Sequence, residues 1–452
     1  MVKLSDFVLG LDIGSYEIKA NIAKFEDDNF TICGIGKAKT TGIKKGVITN
    51  IEQASKAIKK AVKEATKSSG TRYDKAIVSI SGAYTKYTKS AGVINVPNEE
   101  IGLAEIRRAI QMAEHNASIP NDYAKLHILP YKFKVDEQDH IEDPLGMSGS
   151  RLEVGVHIVT APKSSIKNLE KSVQMAGVEI DNIVLSGYAS AIATLTKEEK
   201  ELGVCVIDMG ASTCDMVVHI GNSLVHNDVL LIGSSNITND LSKALHTPLA
   251  QAENVKTSYS KLIDANCKNV ELSTLGNENK KTNVSMDIIT NIIYARIEET
   301  LMILLAQLEK SKFIDKLGAG IVLTGGMAKL DDIRALTAAI FNNLPVRVAT
   351  PRQADGLYEI SSNPANSCVI GLCLYGAGEF TPYEIDSNAE LRYKNEVRKL
   401  DCDNELLTDK ENSQNEQNYN NLVIEENNEQ KSGGNFITKI INSIINKIKE
   451  SF

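Results

Sequence analysis

The chain has 452 residues, 42% hydrophobic and 24% charged, a composition that predicts a soluble protein of several packed units and excludes collagen-like or wholly disordered chains. The net charge is −8 at pH 7, and residues 401–430 alone contain nine acidic residues and one Lys. The body is therefore nearly neutral, which argues against a general nucleic-acid-binding protein. Seven scattered cysteines without a CxxC pair, and an N-terminus without a signal-peptide pattern, predict a cytoplasmic protein with reduced thiols.

Hydrophobic periodicity predicts strands and helices along most of the chain. Three strands, a helix and a fourth strand are predicted at 7–13, 18–25, 30–35, 51–66 and 76–80. An inserted unit is predicted at 84–163, with strands near 86–96, 124–135 and 151–161 and a helix around 103–115. A second group of strands is predicted at 204–209, 214–220 and 223–232, followed by a strand from Ile321, a helix over 330–340 and a last helix at 366–376.

Two stretches of the chain resemble each other: FVLGLDIGSYEIKANIAK at 7–24 and GVCVIDMGASTCDMVVHI at 203–220. Each consists of a strand, an Asp-x-Gly turn and a returning strand. An internal duplication of this kind predicts two related α/β domains that face each other, with the two turns converging on one cleft.

The residues of the first turn suit a phosphate ligand. Asp12 at a strand end can hold Mg²⁺ through water, Gly14 lets the backbone approach a phosphate, Ser15 can donate hydrogen bonds, and Lys19 can neutralise a phosphate charge. A single turn of this type is most often a plain hairpin, and the repeat is what favours binding. The second turn supplies Asp208, Gly210, Ser212 and Thr213, with Asp215 behind it, and Gly325-Gly326 offers a third turn for a nucleoside.

These motifs resemble the FtsA family of bacterial cell-division proteins within the actin-like superfamily. The D-x-G-S-x-x-x-K spacing of residues 12–19 is similar to the first phosphate loop of actin-like proteins. DPLGMSGSRLEVGVHIVTA in the insert, the stretch that begins ELGVCVIDMGASTCDMVVHI at Glu201, and VLTGGMAKLDDI further on resemble FtsA more closely.

The resemblance implies a two-lobed actin-like fold, two RNase H-like domains around a nucleotide cleft, and the following boundaries. The first lobe is expected at 1–83 and 164–200 with a returning helix in 350–380, the inserted α+β subdomain at 84–163, the second lobe at 201–349 with a subdomain at 234–320, a disordered acidic linker at 381–434 and an amphipathic helix at 435–452.

The resemblance also implies ATP and Mg²⁺ in the cleft. The implied nucleotide-binding residues are Asp12, Gly14, Ser15, Lys19, Asp208, Gly210, Ser212, Thr213, Gly233, Glu253, Lys256, Gly325, Gly326 and Met327, with Asp12 and Asp208 holding Mg²⁺ through water. For Glu253 and Lys256, an exposed i,i+3 helix pair is the alternative. Hydrolytic relatives carry Gln or Glu in the helix before the second loop. Ser186 or Gly187 stands there in this chain, so ATP binding with slow or undetectable hydrolysis is expected.

The C-terminal residues 435–452 have a helical stripe of apolar side chains and a polar face with lysines. The expected membrane-binding residues are Phe436, Ile437, Lys439, Ile440, Ile441, Ile444, Ile445, Lys447, Ile448, Lys449 and Phe452. The composition of 401–430 predicts a disordered linker before them, so an anchor lying on the bilayer is favoured. A core helix or a coiled-coil strand is the alternative.

The resemblance implies a peripheral protein at the cytoplasmic face of the inner membrane, at the division site. Its implied partners are the C-terminal peptide of the tubulin-like protein FtsZ, received by 234–320, other copies of itself in filaments, anionic lipid, and other division proteins, but no nucleic acid. Two alternatives stay open: a small-molecule kinase of the same superfamily and a pilus-assembly actin-like module. A chaperone would need a substrate-binding β-domain after residue 380, where the composition predicts a disordered tail instead.

Overall fold

The computed structural model of the protein describes residues 7–26, 29–71, 73–83, 85–352 and 362–393. The helices of these residues are α1 (Ile51–Ser69), α2 (Leu103–Asn116), α3 (Lys163–Met175), α4 (Ser186–Thr194), α5 (Lys197–Leu202), α6 (Ser234–Ala244), α7 (Leu249–Thr257), α8 (Tyr259–Asp264), α9 (Met286–Ser311), α10 (Ile333–Ile340) and α11 (Ser367–Gly376). Short 3-10 turns lie at Ile314–Lys316, Gly326–Lys329 and Pro364–Asn366. No helix of the described ranges is both long and apolar enough to cross a membrane.

The strands form three main sheets and two hairpins. They are β1 (Phe7–Ile13), β2 (Glu17–Glu26), β3 (Asn29–Lys39), β4 (Ile43–Lys44), β5 (Val47–Ile48), β6 (Lys75–Ile80), β7 (Lys86–Asn95), β8 (Tyr123–Val135), β9 (Gln138–Ile141), β10 (Arg151–Pro162), β11 (Glu179–Leu185), β12 (Val204–Met209), β13 (Cys214–Ile220), β14 (Ser223–Leu230), β15 (Asn269–Thr274), β16 (Asn277–Ser285), β17 (Gly320–Thr324), β18 (Val346–Val348), β19 (Glu384–Ile385) and β20 (Leu391–Arg392). The strands and helices predicted above are thus confirmed to within a few residues at their ends.

The two five-stranded sheets have the same strand order, and this confirms the internal duplication. The first lobe is built on the order β11-β6-β1-β2-β3 and the second on β18-β17-β12-β13-β14. In each sheet three consecutive strands form an antiparallel meander, and the first of them also pairs in parallel with a later strand. The first strands of both meanders are almost wholly buried and apolar, as strands covered on both faces require.

Two buried helices lie between these sheets. Helix α11 packs on β1, β2 and β6 of the first lobe. Helix α4 packs on β12 and β13 of the second lobe and also on β11 and β6 of the first, and the two helices pack on each other. All nine residues from Ser367 to Tyr375 are buried, which explains why this segment shows no amphipathic pattern. The two helices therefore lie directly beneath the space where the two meanders meet.

The insert is the third sheet with its helix α2. Its strand order is β20-β19-β8-β10-β7, and β9 pairs with β8. Helix α2 buries Ile106, Ala109, Ile110 and Ala113, and it packs on β7 and β10.

The prediction of a disordered linker is wrong for residues 381–393. Strand β19 pairs with β8 and β20, and Tyr383, Glu384 and Ile385 are buried. The physical reason is a set of polar partners: Glu384 accepts hydrogen bonds from Tyr188 at 3.0 Å and Tyr375 at 2.9 Å, and lies 2.6 Å from His127. Residues 394–434, and the predicted amphipathic helix at 435–452, lie outside the described residues.

Candidate functional site

The first predicted phosphate loop is the turn between β1 and β2. The Oδ1 atom of Asp12 accepts a hydrogen bond of 3.0 Å from the Ser79 hydroxyl, which itself accepts one of 2.8 Å from the Ile13 amide. Lys19 stands opposite Asp12 in the antiparallel register, and its buried ammonium donates to the Ala365 carbonyl. The loop thus presents a fixed carboxylate beside a buried cation.

Ser15 holds the same loop to its surroundings. Its hydroxyl accepts a 2.9 Å hydrogen bond from the Gly46 amide, and the Gly14 carbonyl accepts one of 2.8 Å from the Thr40 hydroxyl. Both contacts fix the turn from outside its own hairpin.

The second predicted phosphate loop is the equivalent turn between β12 and β13. It is closed by a 2.9 Å hydrogen bond from the Gly210 amide to the Thr213 carbonyl. Asp208 Oδ2 accepts a hydrogen bond of 2.5 Å from the Ser190 hydroxyl on α4. Burial, followed by the negative charge of Asp12, raises the pKa of Asp208 to about 6. The two turns therefore bring Asp12 close enough for its charge to affect the ionisation of Asp208.

The double-glycine turn closes against the second loop. Gly325 has a φ of 90°, and a Cβ atom there would lie 2.3 Å from Asp208 Oδ1. Only glycine fits such a backbone conformation and such a close carboxylate. Burial and the charge of Lys19 lower the pKa of Lys329, so the turn that holds Gly326 and Met327 also lies beside the first loop.

The predicted sugar and adenine side is assembled at the start of α6 and along α7. Gly233 precedes α6, and the next amide, of Ser234, donates a 3.1 Å hydrogen bond to the Gly210 carbonyl. Lys256 donates to Glu253 Oε2 at 2.8 Å and to the Ser234 carbonyl at 3.2 Å. The Lys256 side chain is only 9% exposed, so this is not the exposed helix pair that was the alternative.

Tyr16 lies on the first phosphate loop, close to α7. Partial burial, followed by the charge of Glu253, raises the pKa of Tyr16. The first loop and α7 therefore meet at this point.

A third carboxylate lies behind the second loop. Asp215 Oδ1 accepts a 2.9 Å hydrogen bond from the Gly82 amide, and Oδ2 accepts one of 3.3 Å from the Thr213 hydroxyl. Burial, followed by the charge of Asp208, raises the pKa of Asp215 to about 7. The thiol of Cys368 on α11 belongs to the same group, because burial and the charges of Asp12 and Asp208 raise its pKa.

The structure assigns new roles within α4. Ser186 donates to the Ile80 carbonyl at 3.0 Å, and Gly187 lies against Asp215. The side chain of this helix that reaches Asp208 is Ser190, which the sequence analysis missed together with Ser79 and Cys368. Ser190 lies one helical turn after Ser186. This spacing in the sequence indicates that the two hydroxyls lie on the same face of the helix.

No group of three or more His, Cys, Asp or Glu side chains in the described ranges could hold a metal ion directly. Magnesium held through water by Asp12 and Asp208 therefore stays a prediction. The carboxylates, the buried Lys19 and the paired glycine turns suit a magnesium-bound polyphosphate in charge and shape.

Comparisons with known proteins match both the insert and the second lobe. Residues 82–160 match the family "SHS2 domain inserted in FTSA", and residues 205–371 match "Cell division protein FtsA". The FtsA protein of Helicobacter pylori strain J99 is 40% identical over 86% of this chain and 85% of its own length. That of Pseudomonas aeruginosa is 35% identical over 83% and 90%, and that of Escherichia coli K12 is 27% identical over 83% and 92%.

A solved structure with a similar fold is the "PilM-PilN type IV pilus biogenesis complex". It aligns with a TM-score of 0.58 over 82% of this chain and 99% of that chain, at 18% sequence identity. At this identity the likeness concerns the fold alone.

Proposed function

This chain belongs to the FtsA family of cell-division proteins and has an actin-like fold, and from this premise we propose that it is a nucleotide-dependent membrane adaptor. It binds ATP with Mg²⁺ in the cleft, self-assembles, and holds FtsZ filaments at the cytoplasmic face of the inner membrane at the division site, where it helps to recruit other division proteins. The observation that carries the nucleotide part is the pair of equivalent hairpin turns with Asp12 and Asp208, together with the buried Lys19 of the first hairpin.

Two lobes with equivalent loops suit a ligand that bridges them. The β- and γ-phosphates of ATP need backbone amides and a cation, and the turns at Gly14 and Gly210 with Lys19 offer both. Asp12 and Asp208 would hold Mg²⁺ through water, and the ion would neutralise phosphate charge. Asp208, with its raised pKa, would become ionised more readily beside the cation.

Slow hydrolysis is part of the proposal. Phosphoryl transfer to water needs a residue that orients the attacking water. On α4 the residues at hand are Ser186, Gly187 and Ser190, and the two hydroxyls already donate to Ile80 and Asp208. We expect nucleotide binding to be easily measured and turnover to be much slower than in hydrolytic relatives.

Membrane binding is proposed from the sequence of residues 435–452. Burying most of eight apolar side chains in the interface could contribute up to about 10 kcal/mol before ordering costs, and the lysines add attraction to anionic lipid. Net binding of one chain would be reversible, so self-assembly would increase membrane residence through multivalency.

The FtsZ peptide is proposed to bind on the second lobe, at the exposed face of α9. This face carries an exposed stripe that includes Ala295, Glu298, Met302, Ile303 and Lys310. Met302 is 48% exposed although it is apolar. An exposed apolar stripe with charges of both signs beside it fits the apolar face of a short amphipathic peptide.

The membrane and nucleotide parts are tested by co-sedimentation of the full chain with phosphatidylglycerol-containing vesicles, with and without ATP and Mg²⁺. We expect pelleting that rises with ATP, is lost in a 1–434 truncation, and is lost in Ile444→Asp. The matched control is Asn446→Asp, which adds the same charge to the polar face and should retain most binding. Equal pelleting of the full chain and the truncation would refute the anchor.

The FtsZ part has its own assay, fluorescence anisotropy of a labelled FtsZ C-terminal peptide. Met302→Lys should weaken binding at least about tenfold, because it places a charge in the apolar stripe. Leu275→Lys is the matched control, because Leu275 is 64% exposed on the turn between β15 and β16. If both variants lose peptide affinity equally, or if neither loses affinity, the peptide binds elsewhere.

A further inference from the structure

The insert is attached to the first lobe by the chain, yet it also contacts the second lobe. We call this contact the seam and define it by Gly82, Tyr87, Lys89 and His157 on one side and Asp215, His226, Asn227, Val229 and Phe313 on the other. Strand β14 of the second lobe packs on β8 and β10 of the insert along it.

The seam begins where the chain enters the insert, directly beneath the second phosphate loop. The Gly82 amide donates the 2.9 Å hydrogen bond to Asp215. A Cβ atom on Gly82 would lie 2.5 Å from Asp215 Oδ1 and 3.1 Å from Val229 Cβ. The backbone therefore approaches the second lobe as closely as glycine allows.

Further from the cleft, the seam consists of polar and aromatic contacts, of which the His157–Asn227 pair is buried. His157 Nε2 and Asn227 Oδ1 are 2.7 Å apart, and because an amide oxygen only accepts, Nε2 carries the proton. Tyr87 stacks on His157 at 5.2 Å and meets His226 edge-on at 5.0 Å, both between ring centroids. The Lys89 ammonium lies 4.3 Å from the Phe313 ring centroid, a cation–π contact.

The other side of the insert is held firmly to the first lobe. His127 Nε2 on β8 accepts a 3.1 Å hydrogen bond from the Leu185 amide on β11, and Glu384 on β19 accepts one of 3.0 Å from the Tyr188 hydroxyl on α4. Both His127 and Glu384 are fully buried. The insert and the first lobe therefore form one body, and a hinge motion that opens the cleft must separate the second lobe from the insert along the seam.

We propose that the insert acts as a latch on the nucleotide cleft, and that the seam contacts set the rate at which the cleft opens and releases bound nucleotide. This inference rests on the proposed nucleotide binding. It adds a regulatory surface: a protein partner that draws the insert away from β14 would accelerate nucleotide exchange without touching the phosphate loops.

The test is stopped-flow release of a fluorescent N-methylanthraniloyl-ADP from the full-length protein, chased with excess ATP. Asn227→Ala removes the hydrogen bond to His157, and Lys89→Met removes the cation–π contact while keeping an apolar stem. If each contact is lost on opening, its removal should speed release by roughly two- to tenfold. Lys89 is exposed, so the second variant is expected to fold even where the first is unstable.

Val93→Ala is the matched control, because Val93 lies on β7 like Lys89, is 41% exposed, and belongs to no seam contact. Faster release in the seam variants with an unchanged control supports the latch. If the wild type retains the ligand but Lys89→Met releases it at the wild-type rate, the latch is overturned while nucleotide binding stands. If the wild type retains none, nucleotide binding itself fails and the latch with it.

Discussion

The buried carboxylate of Asp215 should make the ligand-free protein less stable as the pH rises, and replacing it with Asn should remove this penalty. The pKa is raised from 3.8 to about 7, chiefly by burial and then by the charge of Asp208. A raised carboxyl pKa means that the folded state holds a proton that the unfolded state has lost. Its destabilising effect therefore begins near pH 4 and grows until the folded group itself ionises near pH 7.

The magnitude follows from the two pKa values. Relative to a neutral side chain, the effect is about 0.5 kcal/mol at pH 4 and on the order of 4 kcal/mol at pH 8, at about 1.4 kcal/mol per pKa unit. Asn is nearly isosteric and keeps both contacts, because its oxygen can accept from the Gly82 amide and its amide can donate to the Thr213 hydroxyl.

Urea denaturation of the wild type and Asp215→Asn at pH 4, 6 and 8, without nucleotide, measures this difference. We expect the variant to be more stable, by an amount that increases with pH. Asp264→Asn, at an exposed carboxylate at the end of α8, is the control and should give no pH-dependent difference. A stability difference for Asp215→Asn that stays constant or shrinks from pH 4 to pH 8 would refute the reasoning.

Three further substitutions test the cleft. Lys19→Ala should weaken ATP binding about 10- to 100-fold in calorimetry, because a charge-assisted contact to phosphate is lost. Gly325→Ala should lower the free energy of unfolding by about 1–3 kcal/mol, since a Cβ would lie 2.3 Å from Asp208 Oδ1 at a φ of 90°. Ser190→Ala removes a hydrogen bond that lowers the pKa of Asp208, so the pH midpoint of magnesium-dependent ATP binding should move upward.

A different experimental outcome would contradict each of these three predictions. Unchanged ATP affinity in Lys19→Ala would place the phosphates away from the first loop. Gly325→Ala with wild-type stability would mean that the turn can move away from Asp208. A pH midpoint that stays fixed or falls in Ser190→Ala would show that the hydroxyl does not support the ionised carboxylate.

The sequence was most informative where a local pattern repeats. The strand, Asp-x-Gly turn and strand at 7–24 and again at 203–220 predicted two equivalent hairpins facing one cleft, and the two sheets have the same order. This was possible because the residues of one hairpin lie close together in the sequence. Their spacing alone therefore identifies the turn and its candidate binding residues.

Contacts between distant parts of the chain were not predictable in this way. Ser79 and Asp12 are 67 residues apart, and nothing in the strand around Ser79 marks its hydroxyl as a partner of that carboxylate. The linker prediction failed at 381–393 for a related reason. Composition identifies segments that cannot bury enough apolar surface, but Glu384 is buried because His127 and two tyrosines supply partners from elsewhere.

The two helices beneath the cleft also have a mechanical consequence. Helix α4 carries Ser190 beside Asp208 and Tyr188 at Glu384, and α11 carries Tyr375 at Glu384 near its far end. A ten-residue helix is a stiff rod about 15 Å long. A pull on the chain beyond residue 393 would therefore reach the described body first at β20 and β19, and the Glu384 hydrogen bonds would pass it directly to the two helices beneath the cleft.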